Sequence, residues 1–173
     1  SINSGFEEVM KEGPLCKEQM RDCKFTFTHF VPHEDTAHRG LSQLGPASRR
    51  ACMGALLTAG VTMLEPMLAI EVRVPTDLVG NVATVLSGKR GKVLDMVQKG
   101  ASSIIVGEIP AAETFTLSEA MRGQTAGRAT WNTSFKAWTE LPKSIATTAI
   151  AEIRKRKGLA PEPPGIDEYI DRE

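Results

Sequence analysis

The sequence has no Gly-x-x-x-x-Gly-Lys-Ser/Thr loop, the pattern whose successive backbone N–H groups cradle nucleotide phosphates. Ser87-Gly88-Lys89-Arg90-Gly91 is glycine-rich and basic, but it has neither the spacing nor the hydroxyl that a magnesium ion needs. No nucleotide-hydrolysing site is expected within these residues. Cysteine is scarce: Cys16, Cys23 and Cys52 are odd in number and form no Cys-x-x-Cys pair, which argues for reduced packing thiols over a disulfide framework or structural zinc. Neither sign of charge is in excess. Lys plus Arg and Asp plus Glu are 21 each, so any attraction to nucleic acid must come from a local patch. No apolar run approaches the roughly 20 residues that span a bilayer, and no signal-peptide pattern opens the chain, so a soluble cytoplasmic protein without membrane contact is expected. An aromatic-rich RNA-stacking string is also missing, which places Trp131 and Phe135 in a core.

What is present is an ordinary globular pattern, 41% hydrophobic over 173 residues, enough for one domain or two small ones. Ile2, Phe6, Val9 and Met10 recur at helical spacing until Gly13-Pro14 stops them. Phe25, Phe27 and Val31 alternate with Lys24, Thr26 and Thr28 as a half-buried strand would. After a polar loop, Pro46 suits the first turn of a helix in which Ala47, Ala51, Cys52, Ala55, Leu56 and Ala59 share one face, ending at Gly60; such small residues would let the helix lie against a sheet.

Near Leu64-Glu65-Pro66 the pattern restarts. Leu68, Ile70, Val72 and Val74 alternate as a strand; Leu78, Val79, Val82, Val85 and Leu86 follow on a helix, and two strands near 92–98 and 103–109 flank the hairpin signal Lys99-Gly100. A short helix with Phe115, Ala120 and Met121 precedes a strand containing Ala129, Trp131, Thr133 and Phe135. The order is β-α-β-β-α-β, that of a ferredoxin-like sandwich. Ile145, Ala149, Ile150 and Ile153 mark a closing helix whose last turn holds Lys155, Arg156 and Lys157, cations suited to the negative helix end before Gly158. The expected class is α+β with two small α/β-sandwich domains. The first, 1–64, is a truncated split β-α-β unit; the second, 65–173, is ferredoxin-like with a C-terminal helix and tail.

Chemistry-bearing residues gather in His33-Glu34-Asp35-Thr36-Ala37-His38-Arg39-Gly40. His29, His33 and His38 with Asp35 have a spacing that zinc could use, yet His29 keeps the parity of Phe25 and Phe27, as a core-edge histidine does, and no metal site is assigned. No nucleophile with an ordered partner supports acid–base or nucleophilic catalysis at His38. Two basic groups stand out: Arg49 and Arg50, off the small-residue face of their helix, and Lys89, Arg90 and Lys92 at a helix-to-strand turn.

The polar loop resembles the tip loop of the archaeal and eukaryotic elongation factor 2 family. There a histidine followed by Arg-Gly, five residues after a first histidine and three after an aspartate, is the one converted to diphthamide; that residue corresponds to His38. Lys11-Glu12-Gly13-Pro14-Leu15 and Pro46-Ala47-Ser48-Arg49-Arg50-Ala51 are similar to the family's fourth domain. Glu65-Pro66, Lys89-Arg90-Gly91-Lys92-Val93, Glu113-Thr114-Phe115 and Arg122-x-x-Thr125-x-Gly127-Arg128 are similar to its fifth. Arg154-Lys155-Arg156-Lys157-Gly158-Leu159 and the Pro161-Glu162-Pro163-Pro164 tail resemble the archaeal and eukaryotic branch, the tail being more like the archaeal one. With Ser1 in place of an initiator methionine, the chain reads as a C-terminal fragment of such a factor.

The resemblance implies GTP-dependent translocation of tRNA and mRNA on the ribosome, with GTP and magnesium bound elsewhere in the parent and neither a cofactor nor a catalytic site here. It implies a tip formed by His33, His38, Arg39, Gly40 and Gln43 against the tRNA–mRNA duplex, ordered by Asp35, and rRNA contact at Arg49, Arg50, Lys89, Arg90 and Lys92. The implied partners are the ribosome, the diphthamide biosynthesis enzymes and ADP-ribosylating toxins. The family's early fourth-domain strands have no counterpart here, so part of the Phe25/Phe27 face is expected to be bare. Two alternatives are a stand-alone ribosome-associated RNA-binding module without a GTPase and a histidine-based metalloenzyme.

Overall fold

A computed structural model describes residues 2–170. The chain forms two units, one of residues 2–63 with 142–170 and the other Leu64–Leu141. The closing helix and tail, which the sequence pattern attaches to the second unit, are thus grouped with the first.

In the second unit, β1 (Leu64–Pro75) leads through a 3-10 turn at Thr76–Leu78 into α3 (Val79–Gly88). The hairpin β2 (Lys92–Lys99) and β3 (Ser102–Pro110) follows, then α4 (Ala111–Thr114), α5 (Leu117–Thr125) and β4 (Thr130–Glu140). The sheet order is β2-β3-β1-β4 with every neighbour antiparallel, as the split β-α-β order requires. Alternation decides what is buried. Ile70, Val72 and Val74 of β1 and Ile105 and Ile109 of β3 turn to one face, where they meet Val82, Val85 and Leu86 of α3 and Leu117 and Met121 of α5.

The two central strands carry this core and the edges do not. Trp131 packs against it, but Phe135 is 58% exposed beside Trp138, because β4 is an edge strand that bulges opposite Met67/Leu68. Phe115 is 87% exposed in the break between α4 and α5, where no helical face can turn it inward.

The first unit pairs α1 (Ile2–Lys11) with the nineteen-residue α2 (Leu41–Ala59) and adds α6 (Lys143–Arg156). Gly5 makes the helix pair possible: a Cβ there would lie 2.6 Å from Gly45 O and 2.7 Å from Arg49 N, a backbone approach only glycine allows. Val9, Met53 and Leu56 form the small core.

Three expectations need correction here. Among the described residues this unit has no strand: the run around Phe25–Val31 finds no neighbour to complete a ladder, and Phe27 is 64% exposed. Helix α2 starts at Leu41, five residues before Pro46, because the Gln43 and Leu44 N–H groups both donate to Gly40 O. Its buried residues are Gly45, Met53, Gly54 and Leu56, while Ala47, Ala51, Ala55 and Ala59 face outward, since α1 rather than a sheet covers it.

Candidate functional site: the histidine loop

The loop between the irregular Phe25–Val31 run and α2 is built by its own side chains. Asp35 caps a short 3-10 turn at Thr36–Arg39: its Oδ1 accepts the Ala37 N–H at 2.9 Å, and its backbone carbonyl accepts the His38 N–H at 3.2 Å. Upstream, the Asp35 N–H donates to His33 Nδ1 at 3.1 Å. Arg39 closes the loop on itself, donating from Nε to His33 O at 2.7 Å and from Nη2 to Glu34 O at 3.0 Å. Arg39, for which the family resemblance implies RNA contact, thus holds the loop backbone, and its guanidinium covers two carbonyls that would otherwise repel phosphate.

His38 sits at the centre of this frame, exposed, with its ring edge-on to His33 at a centroid separation of 4.7 Å and an interplanar angle of 60°. Its Nε2 lies 3.9 Å from Asp35 Oδ2, and its Nδ1 is 3.2 Å from Gln43 Nε2, which projects from the first turn of α2. Gly40 joins turn and helix in extended backbone. His33, Asp35, His38, Arg39 and Gln43 are thus brought together, whereas His29 is exposed on the irregular run before them rather than set at a core edge. Among the described residues no group of three or more histidine, cysteine, aspartate or glutamate side chains could hold a metal ion.

The basic positions divide. Arg49 Nε pairs with Glu8 across the two helices at 3.6 Å, and Arg50, on the same helix, is exposed. Lys89 Nζ donates to Thr116 Oγ1 at 2.6 Å, and Lys92 is exposed at the start of β2. Arg90 occupies a left-handed turn at φ +55°, donating to both oxygens of buried Glu65 at 2.8 and 3.0 Å and to Glu113 at 2.8 Å. Those carboxylates, the Glu65 hydrogen bonds foremost, hold the guanidinium pKa above its ordinary value, so Arg90 serves as an internal clamp more than as an open phosphate contact. Gly91 completes the turn, as a Cβ there would lie 2.9 Å from both Leu86 O and Glu108 O.

Sequence reasoning misses the partners of these cations, because Glu65 and Glu113 lie 25 and 23 residues from Arg90. It also misses Arg154, which donates to Leu15 O at 2.7 Å and Ala160 O at 2.5 Å, and Lys157, which reaches Cys16 O, Lys17 O and Glu18. Local patterning gives these cations a helix-dipole role and the family motif marks them, but neither names the carbonyls they bond.

With this geometry in place, comparison with known proteins is direct. Residues 62–149 match the family described as Elongation factor G C-terminus, and residues 1–60 match Elongation factor G, domain IV. Over 173 residues, the whole of this chain, it is 77% identical to Elongation factor 2 of Cenarchaeum symbiosum (strain A), covering 24% of that protein. Over 170 residues, 98% of this chain, it is 44% identical to Elongation factor 2 of Staphylothermus marinus, covering 23% of it. The chain therefore spans about a quarter of the length of the curated relatives it matches. A crystal structure of a Thermus thermophilus protein superposes on 89% of this chain and 23% of its own, with a TM-score of 0.75 and 28% identity.

Proposed function

We propose that this chain, which belongs to the family of elongation factors G and 2, is the part of a translation factor that enters the decoding region during GTP-dependent translocation. The observation that carries the reading is the histidine loop: an exposed imidazole, His38, fixed on a self-braced turn at the N-terminal end of a long helix. A rigid, short polar tip suits a mechanical role, in which His38, His33 and the remaining Arg39 donors meet phosphates and 2′-hydroxyls of the tRNA–mRNA duplex while the tRNAs advance. Gly40 lets the tip approach closely, and Arg49, Arg50, Lys89 and Lys92 offer further contacts to rRNA.

In this reading His38 is the diphthamide site, the substrate of the diphthamide biosynthesis enzymes and the target of ADP-ribosylating toxins, and the factor works in the cytoplasm. No described helix is long and apolar enough to cross a membrane. GTP and magnesium belong to the parent's nucleotide site; this sequence has no phosphate loop, and no metal-ligating cluster stands among the described residues to suit them.

The test is the mass of the tryptic peptide 25–39 from protein isolated from its own source. Fragmentation must separate His38 from His29 and His33, which share that peptide. An added mass matching diphthamide on His38 is expected; an unmodified His38 in a source that makes diphthamide overturns the assignment. In the intact factor, His38→Ala should slow translocation about tenfold, some 1.4 kcal/mol, with folding unchanged.

A further inference from the structure

We infer that Gln43 is a positioning residue that presets the tautomer of His38. This rests on the reading of His38 as the working residue of the tip. A neutral imidazole carries one N–H and one bare nitrogen, and neighbours decide which is which. Asp35 gives one half of the answer. Its Oδ1 is engaged by the Ala37 N–H, and its Oδ2 faces His38 Nε2 at 3.9 Å, beyond hydrogen-bond length but close enough for attraction. A carboxylate only accepts, so it favours hydrogen on the Nε2 that faces it. Nδ1 is then the bare nitrogen and needs a donor.

Gln43 supplies that donor. Its amide nitrogen stands 3.2 Å from His38 Nδ1, and its own backbone is fixed because the Gln43 N–H closes the first turn of α2 on Gly40 O at 3.1 Å. His33 follows the same rule independently: its Nδ1 accepts the Asp35 N–H, which leaves hydrogen on its Nε2 as well. Both imidazoles thus take a loop donor at Nδ1 and carry their hydrogen on Nε2, in an edge-on pair that limits rotation of either ring. The loop is a device for offering two imidazole donors of fixed identity to an anionic or hydroxyl-bearing surface. Gln43 serves through His38 and does not itself need to touch RNA.

The test uses the uniformly 15N-labelled chain and long-range 1H–15N correlations of the imidazole rings, at a pH alkaline enough to keep them neutral. In the wild type His38 should show a bare, hydrogen-bonded Nδ1 and a protonated Nε2. Gln43→Glu replaces the donor with an acceptor, so the hydrogen should move to Nδ1 and the two ring 15N shifts should exchange character, with His33 unchanged as the internal control. Gln43→Leu leaves only Asp35 to bias the ring, so the Nδ1 signal should lose its hydrogen-bonded character and the share of Nδ1–H should rise. The Ala37 amide, held by Asp35, reports whether the loop survives. A His38 ring spectrum identical in wild type and Gln43→Glu, with the Ala37 amide in place, overturns the inference. Should Gln43→Glu displace that amide, a wild-type ring spectrum in Gln43→Leu overturns it instead. None of these readouts involves the ribosome. A tautomer switch accompanied by normal translocation in His38→Ala would sink the functional reading alone.

Discussion

The two units solve the same problem with different chemistry. Leu64–Leu141 closes one apolar core from a continuous stretch of chain, with β1 and β3 supplying alternate residues and α3 and α5 covering them. The unit of residues 2–63 and 142–170 has three buried residues at the centre of its cluster, Val9, Met53 and Leu56, and fastens distant segments with cations on carbonyls. Arg154, only 7% exposed, bonds Leu15 O and Ala160 O, while Lys157 bonds Cys16 O and Lys17 O at 2.9 and 2.7 Å. Sheet burial is non-directional and tolerates modest change at each position; a charged hydrogen bond to a carbonyl is directional and leaves a desolvated acceptor when removed. The unit that carries the histidine loop thus has the smaller apolar cluster and leans more on directional bonds between distant segments.

The largest change should come from the apolar side of that contrast. Leu86→Ala removes a fully buried side chain beneath the sheet and should cost about 3 kcal/mol. Hydrogen exchange should show the loss in β1 and β3 amides, with α1 and α2 amides unaffected; equal loss in both sets would break the division. Arg154→Met keeps the bulk but strips the donors from Leu15 O and Ala160 O, and should cost about 2 kcal/mol. Its exchange signature should be the reverse, confined to the first unit.

The smallest change tests the surface of the sheet. Lys136 Nζ lies 2.7 Å from Glu108, and that hydrogen bond is the main reason the Glu108 carboxyl sits below its ordinary pKa. A carboxylate depressed on folding stabilises above its unfolded pKa, and the gain is lost as pH falls through the folded value. Lys136→Met should therefore cost about 0.5 kcal/mol near neutrality, the pair being partly exposed, and the difference from wild type should vanish in acid. A cost that persists in acid would assign the effect to packing of the Lys136 stem.

Legibility follows the same contrast. In the second unit the hairpin around Lys99-Gly100, the helix after Thr76 and the strand from Leu68 to Val74 are all readable, since each is a local period with local punctuation. Phe135 and Phe115 are not, because periodicity gives a residue's face without saying whether an element lies over it. In the first unit the Phe25–Val31 alternation has the form of a strand, but a strand exists only with a partner, and the described residues supply none. The alanine stripe of α2 fails for a related reason: Gly5 lets α1 pack on the Gly45 and Met53 face, which burial of small residues alone does not reveal.

In the loop, the residue types, Asp35 as a turn former and His38 before Arg-Gly, stand in the sequence for anyone who reads it. Their spacing also sets which backbone groups lie within reach, since a side chain two or three residues away can cap a turn without tertiary help. What only the folded chain decided is direction: that Arg39 turns back onto His33 O and Glu34 O, that Gln43 meets His38 Nδ1, and that Arg90 is enclosed by Glu65 and Glu113. Sequence dictates periods and local caps because those depend on neighbours a few residues apart. It leaves the partners of long, flexible polar side chains open, because several rotatable bonds bring many groups within reach and only the folded backbone selects which one lies within about 3 Å.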